Sequence, residues 1–540
     1  MILFTQNIEF QIRKLPAFSR LFSLLLLCIL AGGVSAQKKA KKKGRKLEII
    51  GANDLIFEEG PNGESAKKLI GNVRIKHGKT FMDCDSAYVY SSTNTMKAYG
   101  NVHIYDNDGL ELFGDSLKYF GATRMAEVRG REVKLVQNDM TLVTQFLDYD
   151  RNNNVGIYWD GGEILMNNNQ DSLFSYEGQY FSKSSLMQFK DSVRLRTPDY
   201  TVKSDTLHYN SSLEKSFFYG PTYIESAGDI IYTEKGWSDN KSKISVFTKN
   251  ASVITKDQEL FGDSIYYNQK DGIGEVFYNV TLLDTTNQFM VQGEYIYFNQ
   301  EDSVSLVLGE PMLTQFFEED SLFLHADTLY SHYDSTGKYR LIHAYPQAQF
   351  FKSDMQGKSD SLVFSDVDSS ITMYDDPVIW SEGNQITANI VTIYKKGENI
   401  DRMTMDYRAF IISLEDSLSK YQKYNQIKGD SMVGHFKGNR LNSVDVNHNG
   451  ISIYFAKEEK GDGGYIGMNK ADCEYMTIYL DSNSVKEIMF RENPEATLYP
   501  IKDVTPRMQY LKRFKWRAKE RPEFKEDIFN WKEEEETEGE

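Results

Sequence analysis

Cysteine and proline are both scarce in this chain. Its 540 residues include three cysteines and 11 prolines. Cys28 lies in an N-terminal apolar run, which leaves Cys84 and Cys473 far apart in sequence and too few to form a disulfide framework. Few prolines, together with 34 tyrosines and 32 phenylalanines, are typical of a strand-forming chain and not of a disordered one. The fold is therefore expected to be held together by packing.

Long apolar runs and excess positive charge are also lacking. After residue 36, no stretch reaches the roughly 18 apolar residues of a membrane-spanning helix. The net charge is −16, which argues against a nucleic-acid partner, because phosphates need a basic face. No His-Glu-x-x-His, Cys-x-x-Cys or Gly-Gly-x-Gly-x-Asp pattern occurs, so neither a zinc nor a calcium site is expected. The sequence predicts no cofactor.

The first 36 residues predict a secretory signal peptide. Arg13, Lys14 and Arg20 form a basic region, and the apolar run Leu21–Leu30 follows it. Small residues in the sequence Val34–Ala36 predict cleavage after Ala36. The alternative, a membrane anchor, is disfavoured because the apolar run is short. The mature chain is expected in the periplasm or cell envelope of a Gram-negative bacterium.

Composition divides the rest of the chain into four parts. Residues 37–48 are a basic linker, 49–400 a repeat array, and 401–500 a continuation of that array with longer loops. Residues 501–540 combine a basic-aromatic segment with an acidic tail that is expected to be disordered. The basic-aromatic segment is interpreted either as a docking element or, more conservatively, as a cap on the last repeat.

Two short motifs alternate along the array. The first occurs as Gly71-Asn72-Val73 and again as Gly100-Asn101-Val102. The second, Asp-Ser/Thr-Leu-x-Tyr, is clearest at residues 115–119. Its aspartates recur with a period of about 30 residues, which is a signature of repeat architectures. They are Asp85, Asp115, Asp205, Asp263, Asp327 and Asp360.

Both motifs alternate apolar with polar residues. Val102 and Ile104 are expected to face one side of a strand, and Asn101 and His103 the other. Gly, Asn and Asp between the motifs are interpreted as turn residues. A single repeat cannot bury its own apolar face, so units must stack. The sequence predicts an all-β, elongated and twisted solenoid of about a dozen or more degenerate repeats with an apolar interior.

The pattern Gly114-Asp115-Ser116-Leu117 matches the nucleophile block of GDSL hydrolases. However, Gly-Asp-Ser recurs at residues 262–264 and 429–431. An activated serine needs one particular base and oxyanion hole. A residue that recurs at the same place in many repeats is expected instead to have a structural role in the backbone of each repeat. The aspartates are expected to accept hydrogen bonds from amides at turns or strand ends. The chain is predicted not to be an enzyme, and no catalytic residue is assigned.

The signal peptide, the Gly-Asn-Val-x-Ile strand and the Asp-Ser/Thr-Leu-x-Tyr strand together resemble the OstA-like, LptA-type family of lipopolysaccharide-transport proteins. The resemblance is clearest at residues 50–150 and continues to about residue 500. It implies an open, twisted β-jellyroll whose interior shields the acyl chains of lipopolysaccharide while the sugars stay in water. Burying acyl chains is favourable by about 0.8 kcal/mol per methylene.

The resemblance also implies ligand-contacting residues and partners. The residues expected to bind lipid are the inward apolar ones of the first motif: Val73, Ile75, Val102, Ile104, Val133, Leu135, Val193, Leu195, Val280 and Leu282. The expected partners are lipopolysaccharide and the inner- and outer-membrane components of its transport. Exposed end strands are expected to allow head-to-tail self-association.

Two other functions stay open at the level of sequence. One is a structural or adhesive β-solenoid that binds glycan or protein on its outside, and a closed, packed interior would favour it. The other is a carbohydrate-active enzyme, which would need a break in the repeat that gathers carboxylates. The chain is also much longer than a small bridge protein, so a bridge and a scaffold are both consistent with the repeat.

Overall fold

A computed structural model describes residues 46–59, 65–107, 109–137, 139–397, 399–416, 422–457, 464–481 and 484–533. The predicted signal peptide, most of the basic linker and the tail from residue 534 lie outside these ranges. The described part forms 40 antiparallel strands in one hydrogen-bonded sheet, without an α-helix. Pairing joins only strands that are close in chain order, as stacked repeats require. The predicted all-β repeat fold is confirmed.

The strands follow one another with short connections. The first twenty are β1 (Glu48–Gly51), β2 (Asp54–Glu59), β3 (Ser65–His77), β4 (Thr80–Tyr90), β5 (Thr95–Asp106), β6 (Leu110–Phe120), β7 (Met125–Gln137), β8 (Met140–Asp150), β9 (Val155–Tyr158), β10 (Gly162–Met166), β11 (Asp171–Ser175), β12 (Glu177–Phe181), β13 (Leu186–Arg196), β14 (Thr201–Asn210), β15 (Lys215–Ser226), β16 (Asp229–Asp239), β17 (Ile244–Ile254), β18 (Gln258–Asn268), β19 (Ile273–Asp284) and β20 (Phe289–Asn299).

The second twenty strands are mostly shorter. They are β21 (Val304–Leu308), β22 (Met312–Phe316), β23 (Ser321–His325), β24 (Thr328–Tyr333), β25 (Arg340–Tyr345), β26 (Ala348–Lys352), β27 (Met355–Ser359), β28 (Ser361–Ser365), β29 (Ser370–Tyr374), β30 (Val378–Ser381), β31 (Asn384–Thr387), β32 (Ile390–Lys396), β33 (Asn399–Asp406), β34 (Phe410–Asp416), β35 (Lys423–Lys428), β36 (Ser431–Lys437), β37 (Arg440–Lys457), β38 (Tyr465–Asp481), β39 (Ser484–Arg491) and β40 (Glu495–Pro500). Four 3-10 turns follow at Ile501–Asp503, Pro506–Gln509, Ala518–Glu520 and Lys525–Phe529.

Each long strand takes part in two layers. In β3, Gly71 and Asn72 have positive φ angles of 74° and 46°, and pairing with β4 shifts register between Ile70 and Val73. The backbone turns a corner at this bulge. The first half of β3 therefore lies in one layer, called layer B, and the second half in the other, called layer A. Between β21 and β36, successive hairpins alternate instead: β22 and β23 pair in layer A, β24 and β25 in layer B.

The turns predicted between the motifs do contain asparagine, for example Asn94 and Asn154, whereas the Gly-Asn pairs of the first motif have a different role. They sit inside strands, at the corner where the two layers meet, because Gly and Asn adopt positive φ at lower cost than most residues. Other corners carry Asp191-Ser192 and Lys249-Asn250 at positive φ. At Gly100, whose φ is 75°, a Cβ atom would also come within 2.3 Å of the Asp85 carboxylate. The corner needs glycine for both reasons.

The recurring aspartates hold these corners together. Asn101 Nδ2 donates to Asp85 Oδ2 at 2.9 Å on the neighbouring strand. The same side-chain pair recurs further along the array, as Asn279 with Asp263 and Asn449 with Asp430. At Asp115 the donor is a backbone amide, that of Arg131. Of these four aspartates, only Asp115 therefore has the predicted backbone amide as its partner, and the other three bond to an asparagine side chain.

The hairpin turns of layer B form a second ladder. Their last residues have positive φ, for example Asn94, Arg124 and Asn154. The Asn94 carbonyl accepts from the amide of Gly121 at 2.8 Å, and the Arg124 carbonyl from that of Arg151 at 3.1 Å. Each turn is thus hydrogen-bonded to the next.

One continuous apolar core lies between the layers. In β5 the buried and exposed residues alternate, with Val102 and Ile104 inside and Asn101 outside, as predicted. The layers meet across the core, where His77 Nδ1 of layer A lies 2.8 Å from the Tyr119 hydroxyl of layer B.

Residues 501–533, called the strap, run back over the outer face of layer A. Phe514 and Trp516 pack against Tyr424 of β35, and Phe529 packs against His325 of β23. The interpretation of this segment as a cap on the last repeat is wrong, since its contacts extend from β38 back to β23. Lys532 and Glu533 are its last described residues.

Candidate functional site

The structure places the ten predicted lipid-binding residues on the inner faces of the layers. Nine of them are buried, and Leu282 is only half-buried. Whether these residues contact lipid stays a prediction. The interior that they line is not uniform, because it is closely packed in one part of the array and open in another.

The interior is packed in the N-terminal strands. Leu112 and Leu135 have no exposed surface. Near the turns, the space between the layers is filled by three buried tyrosine rings: Tyr119, Tyr149 and Tyr180. Such packing leaves no room for a ligand without movement of the layers.

An ion pair and a hydrogen bond also join the layers in the N-terminal strands. Arg151, from a layer B turn, forms an ion pair with Asp106 in layer A. Its Nε also donates to Thr80 Oγ1 at 3.3 Å. The Asp106 side chain is fully buried, and burial lowers the pKa of Arg151. At this point the two layers are therefore in contact along the edge that carries their turns.

The interior opens from Ile224 onward. Inner residues of layer A next to the turns become half-buried although they remain apolar: Ile224, Ile231, Val253, Leu260, Leu282 and Leu313. The row that carries Tyr119, Tyr149 and Tyr180 in layer B continues here mainly with serines, although Tyr267 and Phe298 also belong to it. The serines are Ser216, Ser238, Ser245, Ser305 and Ser331. A serine fills much less volume than a tyrosine, so the inner residues of layer A next to the turns are covered less completely.

This opening widens into a cavity of about 470 Å³ between the layers. Phe289, Leu313 and Leu322 line it from layer A, and Ile342, Phe364 and Ile371 from layer B. All six side chains are only partly buried, so they border a space. Within layer B, Ile342, Phe364 and Ile371 are cross-strand neighbours. Concave, mainly apolar cavities of this size are typical of small-ligand sites.

The rim of the cavity carries an excess of positive charge. Lys338, Arg340, Lys352 and Lys395 lie on it, together with Asp354 and Asp366. Lys352 pairs with Asp354 at 2.7 Å, and Lys395 lies 5.6 Å from the ring centre of Phe317. An apolar interior with a cationic rim fits an amphiphile with an anionic head group, within a chain that is acidic as a whole.

The groups that looked catalytic or metal-binding are dispersed. Ser116 donates weakly to the Arg129 carbonyl at 3.5 Å, and His208 packs on Tyr219, with burial lowering its pKa. Within the described ranges, no group of three or more His, Cys, Asp or Glu side chains could hold a metal ion. Cys84 and Cys473 are free and buried, and burial raises the pKa of Cys84 to about 12.

Sequence reasoning missed the opened stretch and its rim. The last residue of the second motif gives only a partial signal: it is Tyr at residues 119 and 209 and Ser at residue 331, but it is also Tyr at residue 267, within the opened stretch. The rim cations come from different turns and share no motif. Only the fold brings them together.

These features define a β-repeat protein with an apolar interior that opens midway along the chain. Residues 44–205 match the model of a family described as OstA-like protein, so the predicted resemblance to OstA-like proteins is confirmed for that segment. The strands continue with the same alternation to Pro500. No curated protein matches the chain. In the part that the structure describes, no helix has the length and apolarity to cross a membrane.

Proposed function

We propose that this chain binds lipopolysaccharide and shields its acyl chains on the way to the outer membrane. The observation that carries the proposal is the opened apolar interior with its cationic rim. The acyl chains would lie against residues such as Leu313 and Ile371, and anionic groups of the head would face Lys338 and Arg340. The family match over residues 44–205 supports the same function.

The proposed location is the periplasm or cell envelope of a Gram-negative bacterium, reached through the predicted signal peptide. The proposed role is non-enzymatic, because the Asp-Ser pairs serve the corners of the fold. Inner- and outer-membrane transport components are the proposed partners.

Self-association through edge strands is a further part of this proposal. Among the described strands, β2 pairs only with β3, and β40 only with β38. Phe57 on β2 and Leu498 on β40 are exposed. An unpaired edge with exposed apolar side chains can pair with another chain, so the two ends could join head to tail.

Photo-crosslinking tests the function. A photo-reactive amino acid is placed at Leu313 or Leu322 in the opened stretch, at Val102 in the packed core, and at Arg74 on the outer face as control. After incubation with lipopolysaccharide, we expect adducts at Leu313 and Leu322 and none at Arg74. An adduct at Val102 would indicate that lipid also enters the interior of the N-terminal strands. Adducts at Arg74 alone would contradict the proposal.

A second candidate is a scaffold that binds glycan or protein on its outer surface. The packed N-terminal interior, with Leu112 and Leu135 fully buried, favours it for that part of the chain. Depletion of the protein in cells separates the two functions. Accumulation of lipopolysaccharide at the inner membrane supports transport, whereas normal lipopolysaccharide delivery supports the scaffold.

A further inference from the structure

The strap is held by glutamine side chains that imitate a neighbouring strand. Gln426 Nε2 donates to the Gln509 carbonyl at 2.6 Å, and its Oε1 accepts from the Leu511 amide at 2.8 Å. Gln385 makes the same pair of bonds to Lys515 and Arg517. Both glutamines are buried on the outer face of layer A. They satisfy backbone groups two residues apart, as a β-ladder does.

A buried ionic cluster fixes the middle of the strap. Glu520 lies 2.8 Å from Lys358 Nζ of β27 and accepts two hydrogen bonds from Arg517 at 2.7 Å. Arg517 also reaches Asp376 at 2.8 Å. Lys358 and Glu520 each have only 3% of the side chain exposed. Without the strap, Lys358 would remain on the sheet without its carboxylate partner, Glu520.

The same strands hold the strap on one face and line the cavity on the other. In β26, Gln349 donates to the Ile528 carbonyl at 3.0 Å, while Phe350 lines the cavity. In β27, Gln356 accepts from Arg521 at 2.8 Å, while Met355 lines the cavity. Alternation along a strand produces this division, so the strap lies directly behind the layer A wall.

The outer face of layer A differs between the N-terminal strands and the strands behind the cavity. In the N-terminal strands, the outer face of layer A carries half-buried stacked rings such as Phe81 and Tyr105, and the interior is packed. The opening begins at Ile224, in strands that the strap does not reach. Where it widens into the cavity, the strap covers the outer face of layer A from β23 onward. Two apolar walls that face water attract each other, so support from behind favours the wider separation at the cavity.

Building on the proposed function, we propose that the strap is a brace that keeps layer A apart from layer B at the cavity. Docking of the strap and access of an amphiphile to the cavity are then coupled. Release of the strap allows the layers to close, and the cavity shrinks. The strap therefore controls whether the interior is open, although it touches no ligand.

The test uses the full chain without its signal peptide and measures the opening directly. Spin labels are attached at Gln315→Cys in layer A and Asp366→Cys in layer B, in a Cys84→Ala/Cys473→Ala background. Glu520→Lys is introduced to release the strap. Glu526→Lys makes the same change at an exposed strap residue and serves as the matched control. Hydrogen exchange reports separately on the strap and on β3–β8.

In Glu520→Lys we expect faster exchange over residues 505–533, unchanged protection of β3–β8, and a shift to shorter label separations. Glu526→Lys should leave the separations unchanged. If Glu520→Lys does not release the strap, a chain that ends at Pro500 removes it. A released or deleted strap with unchanged separations overturns the brace. Because the labels need no lipid, a failure to crosslink lipopolysaccharide would refute the proposed function alone.

Discussion

Glu520 and Lys358 are 162 residues apart in sequence and 2.8 Å apart in space. This ion pair joins the end of the chain to the strand that forms the back wall of the cavity. Both side chains are almost fully buried. Buried pairs of this kind are costly to break from one side, because the remaining charge has no water to solvate it.

Removing only one partner of this pair should therefore destabilise the strap more than removing both. We expect Glu520→Gln to weaken strap docking by about 3–5 kcal/mol. The double variant Lys358→Met/Glu520→Gln should recover part of that loss, because no lysine charge is then left unpaired. Hydrogen exchange of residues 505–533 measures the docking free energy. Equal losses in the single and double variants would contradict this account.

Acid should release the strap. Burial alone would raise the pKa of Glu520, but hydrogen bonds from Arg517 and Lys358 outweigh it and hold this pKa below its usual value. A lowered folded-state pKa gives stability that is complete above about pH 4.3, the unfolded value, and is lost as the pH falls through the folded value. The rate at which a protease cleaves the strap should therefore increase as the pH falls below about 4.3. In Glu520→Gln the pH dependence should be smaller, and an unchanged profile would rule out this residue as its source.

The corner glycines should tolerate alanine less well than glycines of open turns. Gly100 and Gly109 have similar φ angles, 75° and 82°, but a Cβ atom at Gly109 meets nothing within 4 Å. Gly109→Ala should cost about 1–2 kcal/mol for the left-handed backbone. Gly100→Ala should cost clearly more, because Asp85 must also move. Hydrogen exchange over β4–β6 measures both, and equal costs would show that the corner is not crowded.

Truncation of inner leucines should distinguish the packed from the opened interior. Leu112→Ala removes a fully buried side chain and should cost about 2–5 kcal/mol. Leu322→Ala should cost less, because Leu322 is half-buried beside an existing cavity. Local hydrogen exchange around β6 and β23 gives the two values. A larger loss at Leu322 would mean that the cavity is tightly packed in solution.

Much of the fold could be predicted from period-two alternation and a repeat of about 30 residues. The inward position of Val102 and Ile104 follows directly from that alternation. The corner at Gly71-Asn72 could not be recognised, because Gly and Asn also favour ordinary turns. Only pairing with the next strand distinguishes a bulge within a strand from a turn between two strands.

The site was less predictable than the fold. Whether an inner residue packs or borders a cavity depends on the residue opposite it in the other layer, and that residue is distant in sequence. Leu282 and Leu135 belong to the same motif, yet only Leu135 is fully buried. The strap was equally hidden, since Gln385 and Gln426 look like ordinary polar strand residues until the backbone of residues 509–517 is placed against them.

The ladder of turns in layer B has a consequence for how such a chain can change length during evolution. Each turn accepts a hydrogen bond from the next one and repeats the same geometry. Duplication or loss of a whole repeat therefore leaves every remaining turn with a suitable neighbour, whereas insertion of one residue within a strand would exchange its inner and outer faces. Homologues should therefore differ in length mainly by whole repeats. The strands that hold the strap should vary least in length, because their glutamines must match fixed positions of the strap.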